Sequence, residues 1–268
     1  MIKVDQEKCI GCAICADICP VSYIGMDAGY PITVGNVCIA CGHCVAACPK
    51  AALDNTATPL LNQVTLEKSP VLDAAMAETF IRARRSVRVY KDIAVPRNKI
   101  LKLLDIARLA PTGGNTQGVQ YLVIDDRVML QRITKATVAW MDEMVAAGAV
   151  GSAYFAGLVE YYHKTGRDII LRDAPCLILA MADKSFMPRG RDNTHFSLAY
   201  AELFAPSLGL ASCWVGFIES CAMSGYQPLL GLLSIPEELI VTGGIMVGYS
   251  KYTYHRLVDR NPLKVTWQ

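Results

Sequence analysis

Two runs of cysteine carry the clearest chemistry in the chain: Cys9, Cys12, Cys15 and Cys19 before Pro20, then Cys38, Cys41, Cys44 and Cys48 before Pro49. Both follow C-x2-C-x2-C-x3-C-P, and Ile39 repeats Ile10 inside the run, so the segment is an internal duplication. Three thiolates spaced by two residues wrap one corner of an iron–sulfur cube. The fourth, three residues on and before Pro, points away to the other cube. The spacing therefore predicts two [4Fe–4S] clusters with crossed ligation. Cys9, Cys12, Cys15 and Cys48 take one, and Cys38, Cys41, Cys44 and Cys19 take the second. Paired C-x2-C units also suit tetrahedral zinc, but zinc leaves the third cysteine and the C-P ending unexplained. His43 stands within the second run, where a lone His reads as a surface residue.

Residues 1–55 resemble the two-cluster bacterial ferredoxins. Such clusters move single electrons, and the rest of the chain must say where those electrons go. The other cysteines, Cys176, Cys213 and Cys221, lie in apolar stretches without metal spacing and read as small buried hydrophobes.

Three further segments could do chemistry. The stretch "RARRSVRVY" (82–90) is basic, and by charge alone a helix C-terminus favoured by the macrodipole is an equal reading. In "APTGGNTQG" (110–118), Pro111 stops a helix, the glycines permit positive φ, and Asn115 and Gln117 offer amides; alone it is an ordinary turn. The tail "GYSKYTYHRLVDRNP" (248–262) holds two arginines. No G-x-G-x-x-G, P-loop or G-x-S-x-G is present.

Taken together and in this order, the three segments resemble the nitroreductase-like FMN family over residues 71–268. The resemblance implies an α+β homodimer, a central sheet flanked by helices, with FMN at the subunit interface. It places the flavin phosphate and ribityl contacts on Arg84, Arg85, Ser86 and Arg88, with Arg256 and Arg260 completing the phosphate site. The 111–117 loop, with Thr112, Gly113, Asn115 and Gln117, would reach the partner's flavin. "CWVGF" matches the place where backbone N–H groups face the flavin N5 edge, implicating Val215 and Gly216. Guanidinium forks and a hydroxyl suit a phosphate dianion, and Arg88 is the candidate cation for the N1–C2=O edge. Val215 stands where some members have an acidic residue, which is a departure from the pattern.

The elements that must position these residues are partly legible. Residues 1–57 form the cluster domain, 58–70 a linker and 71–268 the flavin domain. Residues 54–70 lack periodicity and read as a connector long enough to let the cluster module dock near a flavin. Ser69-Pro70 reads as an N-cap and first turn, followed by Leu72, Met76, Phe80 and Ala83 at helical spacing. Pro96 opens a second helix, with Ile100, Leu103, Leu104 and Ala107 on one face. Strands are predicted at 119–124, 176–182, 211–218 and 239–249, and helices at 127–147, 192–208 and 226–233. Aromatics in the 140–172 cover segment read as core, and His195 and His255 as ordinary residues.

Composition fits this reading. The chain has 268 residues, 53% hydrophobic and 19% charged, with a net charge of +2. That balance gives no case for nucleic acid or an anionic membrane. The N-terminus shows no secretory signal and no stretch has span length, which predicts a cytoplasmic protein. The expected reaction takes single electrons from a low-potential donor such as ferredoxin through the clusters to FMN. A nitroaromatic or quinone-like acceptor then takes two. The alternatives are a reductive dehalogenase-type flavoenzyme, or an electron-carrier or redox-sensing flavoprotein without a small substrate.

Overall fold

The computed structural model describes residues 2–67, 70–149 and 151–268, which fall into two compact units. The first comprises Met1–Val71 with Gly113–Thr116; the second comprises Leu72–Thr112 and Gln117–Gln268.

In the first unit, β1 (Ile2–Val4) pairs antiparallel with β4 (Leu53–Asn55), and β2 (Ile24–Asp27) with β3 (Tyr30–Thr33). The two-residue turn Ala28-Gly29 has φ of 46° and 84°, the pair of positive values that a tight hairpin requires. Single helical turns α1 (Ile14–Asp17) and α2 (His43–Ala46) carry the third cysteine of each run. The apolar core is small: Ile24, Pro31, Cys44, Val45, Ala52 and Leu53 are the buried apolar residues among those described. So few side chains do not hold a domain of this size by themselves, and bound metal contributes folding energy where it is present. Residues 54–55, read from sequence as connector, belong to β4, because Asn55 pairs with Ile2.

The second unit is built on a four-stranded antiparallel sheet in the order β5-β6-β8-β7: β5 (Gln120–Ile124), β6 (Cys176–Asp183), β7 (Ala211–Trp214) and β8 (Leu239–Gly248). β6 and β8 are central and covered on both faces, so both read as nearly unbroken apolar runs. Leu177, Leu179 and Met181 pack with one set of helices: α5 (Arg127–Ala146), α6 (Ser152–Thr165), α8 (Gly216–Met223) and α9 (Gln227–Leu233). Cys176, Ile178 and Ala180 face the other way, against α4 (Arg97–Ala107) and α7 (Arg189–Phe204). A register shift between Ala180 and Met181 lets β8 carry consecutive glycines past the Trp214 ring. A Cβ on Gly243 would lie 2.9 Å from that indole.

Two expectations need correction. The helix α3 (Ala74–Ala83) begins later than Ser69-Pro70, with Asp73 as its cap, accepting from the N–H groups of Ala75 and Met76 at 3.0 and 3.1 Å. Ser69 itself lies outside the described residues. The apolar run 211–218 is not one strand. It bends at Val215 (φ −105°, ψ 57°), after which Gly216–Met223 is helical, because a short apolar run carries no period that separates strand from buried helix. No helix among the described residues is long and apolar enough to cross a membrane.

Candidate functional site

The backbone repeats wherever the cysteines repeat. Gly11 and Ala13 flank Cys12 with φ of 67° and 62°; Ala40 and Gly42 flank Cys41 with 52° and 73°. Left-handed residues thus stand on both sides of the second cysteine in each run. At Gly11 the space is also closed, since a Cβ would sit 2.9 Å from Gly29 O.

Two cavities result. One is lined by Cys9, Cys12, Cys15 and Cys48. The other is lined by Cys38, Cys41, Cys44 and Cys19. The fourth cysteine of each run thus lines the cavity of the other run. Backbone N–H groups already point at sulfur: Tyr23 N–H lies 3.2 Å from Cys19 Sγ and Ala52 N–H 3.2 Å from Cys48 Sγ. Such donors stabilise thiolate, the form that binds iron. His43 is exposed, as expected of a surface residue.

In the second unit the basic segment after α3 runs beside β7. Ser86 bridges Ser212, and Val87 N–H donates to Ser212 O at 2.9 Å. Tyr90 bridges Ser250, and Lys91 N–H donates to Tyr249 O at 2.8 Å. These pairings bring "RARRSVRVY" against the start of the C-terminal tail. Arg85 Nη2 donates to Arg256 O at 2.8 Å, and its guanidinium lies over the Tyr254 ring at 5.8 Å. Arg84 approaches the Glu202 carboxylate at 3.7 Å. Arg88 is exposed and donates to Ser86 O at 3.3 Å. Arg260 is exposed, with its backbone N–H on Asp259 Oδ1. Arg84, Arg85 and Arg88 therefore stand on one segment, with the tail at Arg256 held against it and the Glu202 carboxylate beside Arg84; guanidinium groups so clustered suit a dianion.

The 111–117 loop is divided between the units. Gln117 N–H donates to Thr112 Oγ1 at 3.1 Å in the second. Gly113–Thr116 group with the first, where Asn115 Nδ2 donates to Ile39 O and Ala40 O at 2.9 Å each. Asn115 and Gln117 both have positive φ, 53° and 51°. At the start of α8, Val215 is buried and its N–H donates to Gly244 O at 3.0 Å. That bond corrects the expectation that Val215 offers its N–H to a ligand and leaves Gly216, the first residue of α8, as the candidate donor.

Comparison with known proteins decides the family. Residues 81–249, more than half of the chain, match the model described as Nitroreductase family. The chain belongs to the nitroreductase family. Residues 1–61 match the 4Fe-4S dicluster domain, so this nitroreductase-family oxidoreductase carries a ferredoxin-type domain in front. A relative from Archaeoglobus fulgidus named "Putative NADH dehydrogenase/NAD(P)H nitroreductase" is 28% identical over 64% of this chain and 83% of its own length. An iodotyrosine deiodinase from Thermotoga neapolitana is 26% identical over 63% of this chain and 85% of its own. The solved fold of a Bacteroides fragilis nitroreductase with bound FMN matches with a TM-score of 0.58, at 19% identity, over 73% of this chain and 100% of that one.

The nitroreductase-type unit also contains groups that the sequence left unmarked. Glu202 lies beneath Arg84 and accepts from Ser212 Oγ at 3.0 Å; burial pushes its carboxyl above the ordinary range, an effect that Arg84 partly offsets. Glu219, on α8, is buried and gathers Arg191 Nη2 at 2.7 Å, Trp214 Nε1 at 2.9 Å and His195 Nε2 at 3.4 Å. His195 Nε2 also lies 3.0 Å from Thr242 O. A hydrophobic pattern marks apolar positions, so it has no signal for a carboxylate buried by its partners. Trp140 is core, as expected, and packs against Phe155 with the rings tilted and their centroids 5.6 Å apart, whereas Tyr154 and Tyr161 on α6 are exposed. Cys176, Cys213 and Cys221 are buried, and burial raises the Cys176 and Cys221 thiols to about 12, which keeps them inert.

Proposed function

We propose that the protein is an FMN-dependent oxidoreductase fed through its own two [4Fe–4S] clusters. A low-potential one-electron carrier such as reduced ferredoxin is the donor, and a nitroaromatic or quinone-like molecule is the acceptor. The observation that carries this reading is the combination on one chain of two four-cysteine cavities with an arginine cluster of the nitroreductase type.

The residues fit the groups. The cavities are lined by the crossed cysteine sets, and thiolates are the ligands such clusters use. In the second unit Arg84, Arg85 and Arg256 hold the FMN phosphate, with Ser86 adding a hydroxyl and Arg260 reaching in from the tail. Arg88 faces the N1–C2=O edge, where a cation favours the reduced cofactor. Gly216 N–H orients the N5 edge. Thr112, Gly113, Asn115 and Gln117 form the loop assigned to the partner's flavin. Bound FMN supplies the step from one-electron to two-electron chemistry.

The active form is a homodimer. Helix α3 has no buried residue although Met76, Phe80 and Ile81 are apolar, with Met76 63% exposed, and Leu72 just before it is exposed too. The tail likewise exposes Leu263, Val265 and Trp267, the last 90% exposed. Apolar surface of this extent marks an interface. Domain limits of 1–57, 58–70 and 71–268 and a cytoplasmic location complete the reading.

The test is anaerobic. The protein is purified, its FMN and iron are counted, and flavin bleaching is followed with reduced ferredoxin, NADH or NADPH as donor in turn. Rapid bleaching by ferredoxin supports the reading, and bleaching by NAD(P)H alone contradicts it. A second reading, reductive dehalogenation, is favoured by the deiodinase relative. Halide release from a halophenol under the same conditions would select it.

A further inference from the structure

The two halves of the cysteine repeat differ in chemistry at the matching positions Met26 and Asn55. Tyr23 and Ala52 are equivalent, and each donates its backbone N–H to the last cysteine of its own run. Three residues further on, the first half has Met26, which lines the cavity of Cys9, Cys12, Cys15 and Cys48. The second half has Asn55, which lines the cavity of Cys38, Cys41, Cys44 and Cys19.

Asn55 is 1% exposed, and every polar atom of its amide is used. Oδ1 accepts from Ala57 N–H at 3.0 Å. That bond fixes which end of the amide is which and turns Nδ2 inward, where it lies 3.6 Å from Cys38 Sγ. A buried polar side chain is kept only where it has partners, and here one of them is a cysteine sulfur of the second set. Met26 offers no N–H donor.

We propose that Asn55 is a redox-tuning residue: its amide, donating to Cys38 Sγ, raises the reduction potential of the cluster held by Cys38, Cys41, Cys44 and Cys19. This rests on the two-cluster reading above. Reduction adds one electron, taken from the low-potential carrier, and makes the cluster and its thiolates more negative without making or breaking a bond. A hydrogen-bond donor at sulfur favours the more negative state. The first cluster, with a thioether at the matching position, receives no such contribution. The asymmetry draws electrons toward the second cluster.

The experiment is an anaerobic potentiometric titration of the full chain, with the clusters followed by electron paramagnetic resonance and iron counted in each sample. Asn55→Asp keeps the shape and the Oδ1 acceptor but removes the donor. Asn55→Leu removes both. Either should shift one cluster toward reduced stability about tenfold lower, some 59 mV for one electron, and leave the other where it was. Met26→Asn supplies the reciprocal measurement should the Asn55 variants lose their second cluster, and it should raise the first. Two clusters with unshifted potentials in Asn55→Asp, or in Met26→Asn, overturn the proposal. Parental protein that binds no iron anaerobically overturns the two-cluster reading itself, and the iron count tells the two failures apart.

Discussion

Arg84 Nη1 lies 3.7 Å from Glu202 Oε1, the oxygen that also accepts from Ser212 Oγ at 3.0 Å. A carboxylate on α7 thereby sets the direction of an arginine assigned to the cofactor phosphate. Replacing Arg84 by Ala should weaken FMN binding by one to two decades, since a charge-assisted hydrogen bond contributes about 1.5–3 kcal/mol. Fluorescence titration of the apoprotein with FMN measures this directly, and an unchanged affinity would remove Arg84 from the site.

Glu202 itself gives a pH signature. Burial raises its folded value above the ordinary 4.5, so the fold favours the neutral form. Stability from this group is therefore full below 4.5 and is lost as pH rises through the raised value. Melting temperatures of the apoprotein and Glu202→Gln should coincide near pH 4 and diverge at higher pH, with the Gln variant the more stable. Curves that remain parallel would mean that Glu202 titrates normally.

Crossed ligation makes a claim that order along the chain would not. Cys19 lines the cavity of Cys38, Cys41 and Cys44. Cys19→Ala should damage that cluster and leave the one held by Cys9, Cys12 and Cys15. Resonance spectra of the variant after selective reduction distinguish the two, and loss of the first cluster instead would refute the crossing.

Iron removal should act on one unit alone. The first unit buries few apolar side chains, so chelation should unfold it while the second keeps its sheet. Hydrogen exchange would then show protection lost over residues 2–60 and kept at β6 and β8. Full protection of Val45 and Leu53 without iron would show that the small core suffices.

Glu219 is the centre of a buried polar network, and its loss should be felt as stability. Glu219→Ala leaves Trp214 Nε1 without its acceptor and should cost about 1.5–3 kcal/mol in urea unfolding. A variant as stable as the parent would show that solvent replaces those contacts.

Much of this was legible in the residues, for physical reasons. Cysteine spacing encodes ligand geometry, so the crossed sets that line the cavities follow from C-x2-C-x2-C-x3-C-P. β6 and β8 were legible because strands covered on both faces are long apolar runs. The switch at Val215 was not, since "ASCWVGFI" is apolar on either side of the bend and only the tertiary hydrogen bond to Gly244 ends the strand there. Asp73 rather than Ser69 caps α3, because two competent capping residues stood four apart and local sequence does not choose between them. Glu202, Glu219 and Asn55 were silent for a shared reason: each has at least one partner distant in sequence, Arg84, Arg191 and Cys38 respectively.

The account centres on the clusters as the entry path for electrons. Its most direct test compares the parent with Cys12→Ala/Cys41→Ala, supplied with reduced ferredoxin under anaerobic conditions. The variant should retain FMN and still turn over when a small artificial reductant reaches the flavin, yet lose ferredoxin-driven acceptor reduction. Turnover from ferredoxin at the parental rate in that variant would contradict the account.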